Sequence, residues 1–218
     1  MTTIAKLVKD WETKNARSVA KASGISMMAL SLAACGGGGS APAPVVVVEV
    51  VPITSALTIW NDTVTGTTAD DVVTGARIDT VQVFNSGDSI VLGDGNDSLS
   101  ATLNAGTVTP VAMTGVENVM FTVLGDATVD FDNVSGVTSI ISRGSSATLL
   151  VDDIQEIPTS ISINNNTAVQ TFVIKDSAVS GASDSITLNF DGVGGVVNVG
   201  GETDGDGDIE TFTIVASA

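Results

Sequence analysis

An acidic motif recurs every nine residues in the first half of this chain, as Asp70-Asp71-Val72, Asp79-Thr80-Val81, Asp88-Ser89-Ile90 and Asp97-Ser98-Leu99. Asp62-Thr63-Val64 is a fifth copy, eight residues ahead of the next acid. Each copy joins a turn-forming acid to an aliphatic residue that can be buried. A short fixed period is typical of a solenoid, because each repeat buries its apolar side only against its neighbours. The pattern therefore predicts an all-β, parallel β-solenoid (β-roll or β-helix) of short turns.

Short β-rich segments continue beyond the motif and are separated by Gly, Asp, Asn and Ser, which favour turns. Strands are predicted at 118–123, 127–131, 138–142, 147–151, 159–163, 170–174, 185–190, 193–199 and 210–215. No amphipathic helical pattern follows residue 35. A β-sandwich also has many short strands, but its strands have no reason to repeat one residue count. Because Ala218 follows the last predicted strand without an obvious cap, it stays open whether the solenoid is truncated.

The N-terminal residues have the organisation of an export signal. A Lys-rich segment leads into the apolar run 25–34, which is too short to span a bilayer and is predicted to be helical. The run ends in Leu32-Ala33-Ala34-Cys35, which resembles the lipobox of bacterial lipoproteins and contains the only Cys of the chain. The alternative is an ordinary signal peptide with an incidental Cys.

The lipobox resemblance implies cleavage before Cys35 and acylation of that residue, so that the protein is attached to a membrane through the lipid. Gly36, in place of Asp, implies passage to the outer membrane or cell surface; whether the protein faces the periplasm or the medium stays open. The predicted organisation is a signal peptide at 1–34, a flexible Gly, Ser, Ala and Pro linker at 35–52, and a solenoid domain at 53–218.

The predicted mature chain is strongly acidic. Of the 25 acids, 23 follow Cys35, against the three bases Arg77, Arg143 and Lys175. This charge repels nucleic acid and anionic lipid and favours divalent cations. The abundance of periodic Val, Ile, Leu and Thr argues for a packed β-structure rather than disorder.

A glycine-rich turn at the end of the nine-residue pattern resembles the haemolysin-type (RTX) calcium nonapeptide. Gly93, Gly95, Asp97 and Leu99 match positions of that repeat, whereas Leu92 replaces its first glycine. Phrases such as 115–119 and 208–214 also resemble calcium-dependent surface-layer (S-layer) proteins of Gram-negative bacteria. If two nine-residue units form one coil, equivalent residues of successive coils stack, which would place Asp79 near Asp97 and Asp70 near Asp88. Calcium between such carboxylates would relieve their repulsion; the alternative is turn-capping acids without metal.

A second acidic tract, at 202–210, is the stronger metal candidate in the sequence. Asp204, Asp206 and Asp208 alternate with Gly, and Glu210 follows. Carboxylates at alternate positions can direct their oxygens to one cation, as at the start of an EF-hand loop, although the rest of that motif is missing. The alternative is a solvated acidic turn. The pairs Asp130 with Asp132, and Asp152 with Asp153, are weaker versions of this pattern and are better explained as solvated turn ends.

Catalysis receives little support from the composition. The chain has no His, its single Cys lies at the lipobox, and Lys175 beside Asp176 is best explained as part of a surface ion pair. The sequence therefore predicts a lipid-anchored surface protein, structural or adhesive, whose solenoid is stabilised by calcium and which self-associates or contacts other surface proteins. The alternative is a carbohydrate-active or carbohydrate-binding β-helix that uses carboxylates.

Overall fold

A computed structural model describes residues 49–181, 183–203 and 209–217 of the chain. It confirms the predicted fold: the described residues form a parallel β-solenoid of about seven turns and contain no helix. The solenoid lies within a compact unit that begins at Pro52. The predicted signal helix, most of the predicted linker and Cys35 lie outside the described residues.

Seventeen short strands build the solenoid, and none is longer than seven residues. They are β1 Thr54–Ala56, β2 Thr63–Thr65, β3 Val72–Gly75, β4 Ser89–Val91, β5 Ser98–Leu103, β6 Gly106–Val108, β7 Ala112–Thr114, β8 Asn118–Val123, β9 Ala127–Asp130, β10 Val134–Ser135, β11 Ser139–Arg143, β12 Leu149–Ile154, β13 Ser160–Asn164, β14 Gln170–Ile174, β15 Ser185–Asp191, β16 Val197–Gly201 and β17 Thr211–Ser217. Each of the nine strands predicted after residue 115 overlaps an observed strand, and the predicted boundaries of β8 and β14 agree with the observed ones.

The strands form three parallel sheets along the sides of the solenoid. The eight-stranded sheet has the order β1-β3-β5-β8-β11-β13-β15-β17, the four-stranded sheet β10-β7-β4-β2, and the five-stranded sheet β16-β14-β12-β9-β6. The first two turns use only two sheets, and the third side begins at β6.

The core lies inside the three sheets because the strands alternate buried and more exposed residues, as β5 and β8 both do along their whole length. Aliphatic side chains therefore stack from turn to turn along the eight-stranded sheet. One such stack consists of Val73, Leu99, Val119, Ile140, Ile161 and Leu188, which occupy matching register positions and are all buried. Phe84 and Phe121 add a stacked ring pair with centroids 6.3 Å apart.

The sequence predicts that every turn consists of two nine-residue units, but the observed turns are not all of that length. Thr54 pairs with Val72, which fits that prediction, but the next turn, from Val72 to its partner Ser98, is eight residues longer. The difference lies between β3 and β4, where Ile78 and Val81 pair with each other in an extra loop. The predicted stacking of Asp79 on Asp97 and of Asp70 on Asp88 is therefore wrong. Asp79 lies in the extra loop with a left-handed backbone (φ 57°).

Candidate cation-binding sites

Each strand of the eight-stranded sheet is directly preceded by a residue of a set we call the strand-start column, and five of the eight members are acids. Its members, turn by turn, are Ile53, Asp71, Asp97, Glu117, Thr138, Thr159, Asp184 and Glu210. Four of its acids accept the backbone N–H of the preceding member: Ile53 N to Asp71 Oδ1 (2.6 Å), Asp71 N to Asp97 Oδ1 (2.6 Å), Asp97 N to Glu117 Oε2 (2.7 Å) and Asp184 N to Glu210 Oε2 (2.8 Å). The column thus links successive turns where the strands begin.

A shorter version of this arrangement precedes the four-stranded sheet. Asp62 lies before β2 and Asp88 before β4, and Asp62 N donates to Asp88 Oδ1 at 2.9 Å. The second oxygen of Asp88 accepts the N–H of Asn85 at 2.8 Å, so both carboxylate oxygens are satisfied. Nine residues separate Asp62 from Asp71 and Asp88 from Asp97. This spacing is therefore the number of residues from the start of a strand in the four-stranded sheet to the start of the next strand in the eight-stranded sheet.

Asp97 differs from Asp88 in having one unsatisfied oxygen. Both side chains are fully buried, but Asp97 Oδ2 has no hydrogen-bond partner among the described residues. Burial raises the pKa of Asp97, and the neighbouring charges of Asp71, Glu117 and Asp70 raise it further, against the hydrogen bond from Asp71 N. A buried carboxylate oxygen without a partner is strongly unfavourable unless a proton or a cation compensates it.

The turn that leads into Asp97 packs closely on backbone oxygens of the turn before it. Gly93 (φ 98°) and Gly95 (φ 144°) have backbone conformations that L side chains rarely adopt. A Cβ atom at Gly95 would lie 2.7 Å from Asp97 Oδ1 and 2.8 Å from the carbonyl oxygen of Ala69. A Cβ at Gly93 would lie 2.6 Å from the carbonyl oxygen of Thr67. Because these two positions have no side chain, the loop between β4 and β5 can pack directly against carbonyl oxygens of the loop between β2 and β3.

The oxygens around Asp97 are the ligand type that calcium prefers, namely carboxylate and backbone carbonyl groups. Asp97 would supply a carboxylate oxygen, and Ala69, whose carbonyl oxygen packs against Gly95 as Asp97 Oδ1 does, would supply a carbonyl oxygen. The structure thus brings together Gly93, Gly95 and Asp97 as the sequence predicts, but with Asp71 in the place predicted for Asp79. The metal-binding role of all four predicted residues stays a prediction.

A second group of acids lies at the carboxyl ends of strands in the five-stranded sheet, and we call it the Lys175 cluster. Asp130, Asp132 and Asp153 each place a carboxylate oxygen within 4.8 Å of the others, so this triad could bind a metal ion. The ammonium group of Lys175 lies 2.9 Å from Asp132 and 3.5 Å from Asp153. These are the two ion pairs found among the described residues, so Lys175 already provides this cluster with a positive charge.

Local geometry explains how the Lys175 cluster forms. The register between β12 and β14 shifts between Val151 and Ile154, and Asp153 within this bulge has a left-handed backbone (φ 57°).

The hydrogen bond to Asp132 raises the pKa of Lys175 above its usual value. A hydrogen bond with Asp153 raises the pKa of Glu202, which follows β16 two turns later.

The sequence predicts solvated turn ends for the acids of this cluster and a surface ion pair for Lys175. The ion pair is confirmed, and its partners are Asp132 and Asp153 rather than the adjacent Asp176. Asp176 instead accepts the N–H of Thr203 at 3.1 Å, and hydrogen bonds from Thr203 lower its pKa. The cluster could be found from the sequence only if the length of the later turns were known, and the nine-residue motif does not supply that length.

The acidic tract favoured by the sequence is mostly outside the described residues. Asp204, Asp206 and Asp208 are among the residues that the structure does not describe, and their predicted role in metal binding stays a prediction. Glu210 is described and belongs to the strand-start column, where it accepts the N–H of Asp184.

Comparison with known proteins adds no relationship, since no family model, curated protein or solved structure matches this chain. Among residues 49–181, 183–203 and 209–217, no helix is long and apolar enough to cross a membrane.

Proposed function

We propose that the protein is a structural or adhesive component of the bacterial cell surface whose β-solenoid is stabilised by calcium. The observation that carries the calcium part is the fully buried Asp97, whose Oδ2 has no hydrogen-bond partner among the described residues and whose Oδ1 lies against the glycine turn at Gly95. The charged neighbours that raise its pKa are all acids. A bound divalent cation would satisfy Asp97 Oδ2 and reduce the repulsion among these acids.

The structural part of the proposal is supported by the quasi-one-dimensional fold. A solenoid presents long, regular sides that suit contact with a neighbouring protein or with a second copy of the chain. Calcium sites of low affinity would fill outside the cell, where the ion is abundant, and would couple folding to export. The Lys175 cluster would remain folded without calcium because Lys175 supplies its cation.

The location is proposed from the N-terminal sequence. Leu32-Ala33-Ala34-Cys35 would direct export and acylation of Cys35, and the linker at 35–52 would attach the solenoid to the outer membrane or cell surface. Mass spectrometry of the protein purified from its host membrane tests this step directly. An N-terminus at Cys35 carrying acyl groups is expected, and an intact or differently processed N-terminus would refute it.

Calcium titration by isothermal calorimetry, together with thermal unfolding, tests the calcium part. A site filled at ten times its dissociation constant adds about 1.4 kcal/mol to the free energy of unfolding. For a domain of this size that corresponds to a rise of about 3–6 °C in Tm. Saturable heats and such a rise are expected with calcium and should be reversed by a chelator. No heat of binding and an unchanged Tm at millimolar calcium would refute calcium stabilisation.

A further inference from the structure

The loop between β1 and β2 is held in a defined shape by Asp62. The carboxylate of Asp62 accepts the N–H of Thr58 at 2.6 Å and its hydroxyl at 3.0 Å. Thr58 Oγ1 in turn accepts the N–H of Trp60 at 3.2 Å. The tip of this loop, Ile59-Trp60, is therefore presented on a fixed support.

The same loop occurs again nine residues later, between β2 and β3. Asp71 accepts the N–H of Thr67 at 2.6 Å and its hydroxyl at 3.2 Å, and Thr67 Oγ1 accepts the N–H of Ala69 at 3.1 Å. Thr58 corresponds to Thr67 and Asp62 to Asp71, so the two loops share the hydrogen bonds that fix their shape. Their tips can be compared residue by residue.

The two tips differ in chemistry. The second loop carries Thr68-Ala69, whereas the first carries Ile59 and Trp60, which are 46% and 73% exposed. Because the second loop forms with small and polar tip residues, the shape of the loop does not require a Trp. An exposed Trp on a fixed loop with no packing role indicates a contact surface.

We propose that the Ile59-Trp60 tip inserts into the headgroup layer of the membrane that anchors the chain, an assignment that rests on the proposed acylation of Cys35. The tip belongs to the first turn of the solenoid, and the segment 36–51 is all that separates Cys35 from the compact unit beginning at Pro52. The predicted linker would span about 22 Å on average as a Gly-rich coil and at most about 55 Å when fully extended. The first turn is thus the part of the solenoid nearest to the anchor along the chain.

The chemistry of the tip and of the whole chain selects the kind of lipid surface. Trp is enriched at membrane interfaces, where its ring lies among the headgroups and its N–H finds polar partners. The 23 acids and three bases after Cys35 give a net charge of −20, which opposes contact with anionic headgroups, so a zwitterionic surface is the expected partner. The acyl anchor supplies most of the affinity, and the tip orients the first turn against the surface.

Tryptophan fluorescence tests this proposal in the acylated protein. The chain has two Trp residues, Trp11 in the predicted signal and Trp60, so Trp60 is the single Trp after cleavage at Cys35. The mass-verified, acylated protein is reconstituted into phosphatidylcholine vesicles with brominated or ordinary acyl chains. Bromine near the headgroup boundary is expected to reduce Trp60 emission about twofold, with a shift of the emission to shorter wavelength. Unchanged emission in an acylated, vesicle-bound protein would overturn the proposal while leaving the anchor intact.

A matched variant separates membrane contact from loop stability. The double substitution I59T/W60A gives the first loop the tip residues of the second. Its melting temperature is expected to equal that of the wild type. In the wild type, vesicles are expected to slow amide exchange at 57–62, and in the variant this slowing should be absent. Equal slowing of amide exchange by vesicles in this variant would contradict lipid contact. So would a shift of Trp60 emission in the wild-type protein that a soluble oligosaccharide causes and vesicles do not. Protein that lacks acyl groups at Cys35 would refute the anchor and this assignment together.

Discussion

The strand-start column and the Lys175 cluster both collect carboxylates from successive turns, but they compensate the negative charge in different ways. In the column, the carboxylates of Asp71 and Asp97 are buried and accept backbone N–H groups. In the cluster, the carboxylates are partly exposed and surround the ammonium group of Lys175.

The two regions differ in whether a basic side chain lies beside the carboxylates. Lys175 can reach Asp132 and Asp153 because its side chain approaches from the surface, at 28% exposure. No ion pair among the described residues involves Asp97, so no basic side chain of this region compensates its charge. Under the proposed function, a divalent ion bound through carboxylate and backbone oxygens would take that role.

Removing a column carboxylate should have the largest effect on stability. Asp71→Ala leaves the N–H groups of Ile53 and Thr67 without their acceptor, at about 1–3 kcal/mol each. We expect the free energy of unfolding in urea to fall by about 2–5 kcal/mol, with or without calcium. Asp132→Ala in the Lys175 cluster is the matched control and should stay within about 0.5 kcal/mol, as exposed substitutions usually do. Equal effects would show that the column is not structural.

Neutralising Asp97 should remove the response to calcium. Asp97→Asn keeps an oxygen for Asp71 N but removes the charge, so the calcium-dependent rise in Tm of about 3–6 °C should disappear. Without calcium, this variant should be at least as stable as the wild type, because a buried charge has been removed.

Asp88→Asn is the control for Asp97, since Asp88 is equally buried but fully hydrogen-bonded. We expect it to lower Tm at every calcium concentration and to keep the calcium-dependent rise. Loss of the rise in both variants, or in Asp88→Asn alone, would place the ion elsewhere.

The two regions should also respond to opposite ends of the pH scale. Burial raises the pKa values of Asp88 and Asp97 in the folded protein, so the folded state binds more protons than the unfolded chain just above the unfolded pKa of about 3.9. Without calcium, stability should therefore fall as the pH rises through this window, up to the raised pKa values. Thermal unfolding of the wild type and of D88N/D97N checks this, because the decline should be weaker in the double variant.

Lys175 has a raised pKa, so its stabilising contribution is present at neutral pH and is lost only as the pH rises through that value on the alkaline side. For the acidic side, an equal decline of stability with rising pH in the wild type and in D88N/D97N would contradict the role of Asp88 and Asp97. The decline would then belong to other carboxyl groups.

Removing Lys175 should convert its cluster into a site that needs metal. In Lys175→Met, the carboxylates of Asp130, Asp132 and Asp153 lose their positive neighbour, and calorimetry should detect one additional equivalent of bound calcium. Lys175→Arg retains the charge and should bind no more calcium than the wild type. Identical stoichiometry in all three proteins would contradict a role for Lys175 as the cation of the cluster.

Much of the fold followed from the sequence because its signals are local. Strand residues alternate in burial, and Gly, Asp and Asn mark the turns, so the nine strands predicted after residue 115 each overlap an observed strand, although the two-residue β10 was missed. The length of a turn was not predictable in the same way. The nine residues from Asp62 to Asp71 separate the starts of two successive strands. Asp79 also follows Asp70 by nine residues, but it lies in an extra loop and does not precede a strand.

The candidate site was predicted in part for the same reason. Gly93, Gly95 and Asp97 form one contiguous motif, so their proximity could be inferred directly. Asp71 and Glu117 join Asp97 only through complete turns of the solenoid, whose unequal lengths no local pattern reveals. The Lys175 cluster depends on several such turns and on a bulge at Asp153.

Ile53 starts the strand-start column without a carboxylate, and this has a consequence for the order in which turns can assemble. Asp71, Asp97, Glu117 and Glu210 each cap an N–H of the turn before them, so those turns are completed by the arrival of their successors. The first described turn has Ile53 at this position, and within the described residues no earlier turn offers an N–H for it to cap. A chain that emerges with its N-terminus first, in synthesis or export, can therefore fold turn by turn, with each new acid closing the turn before it.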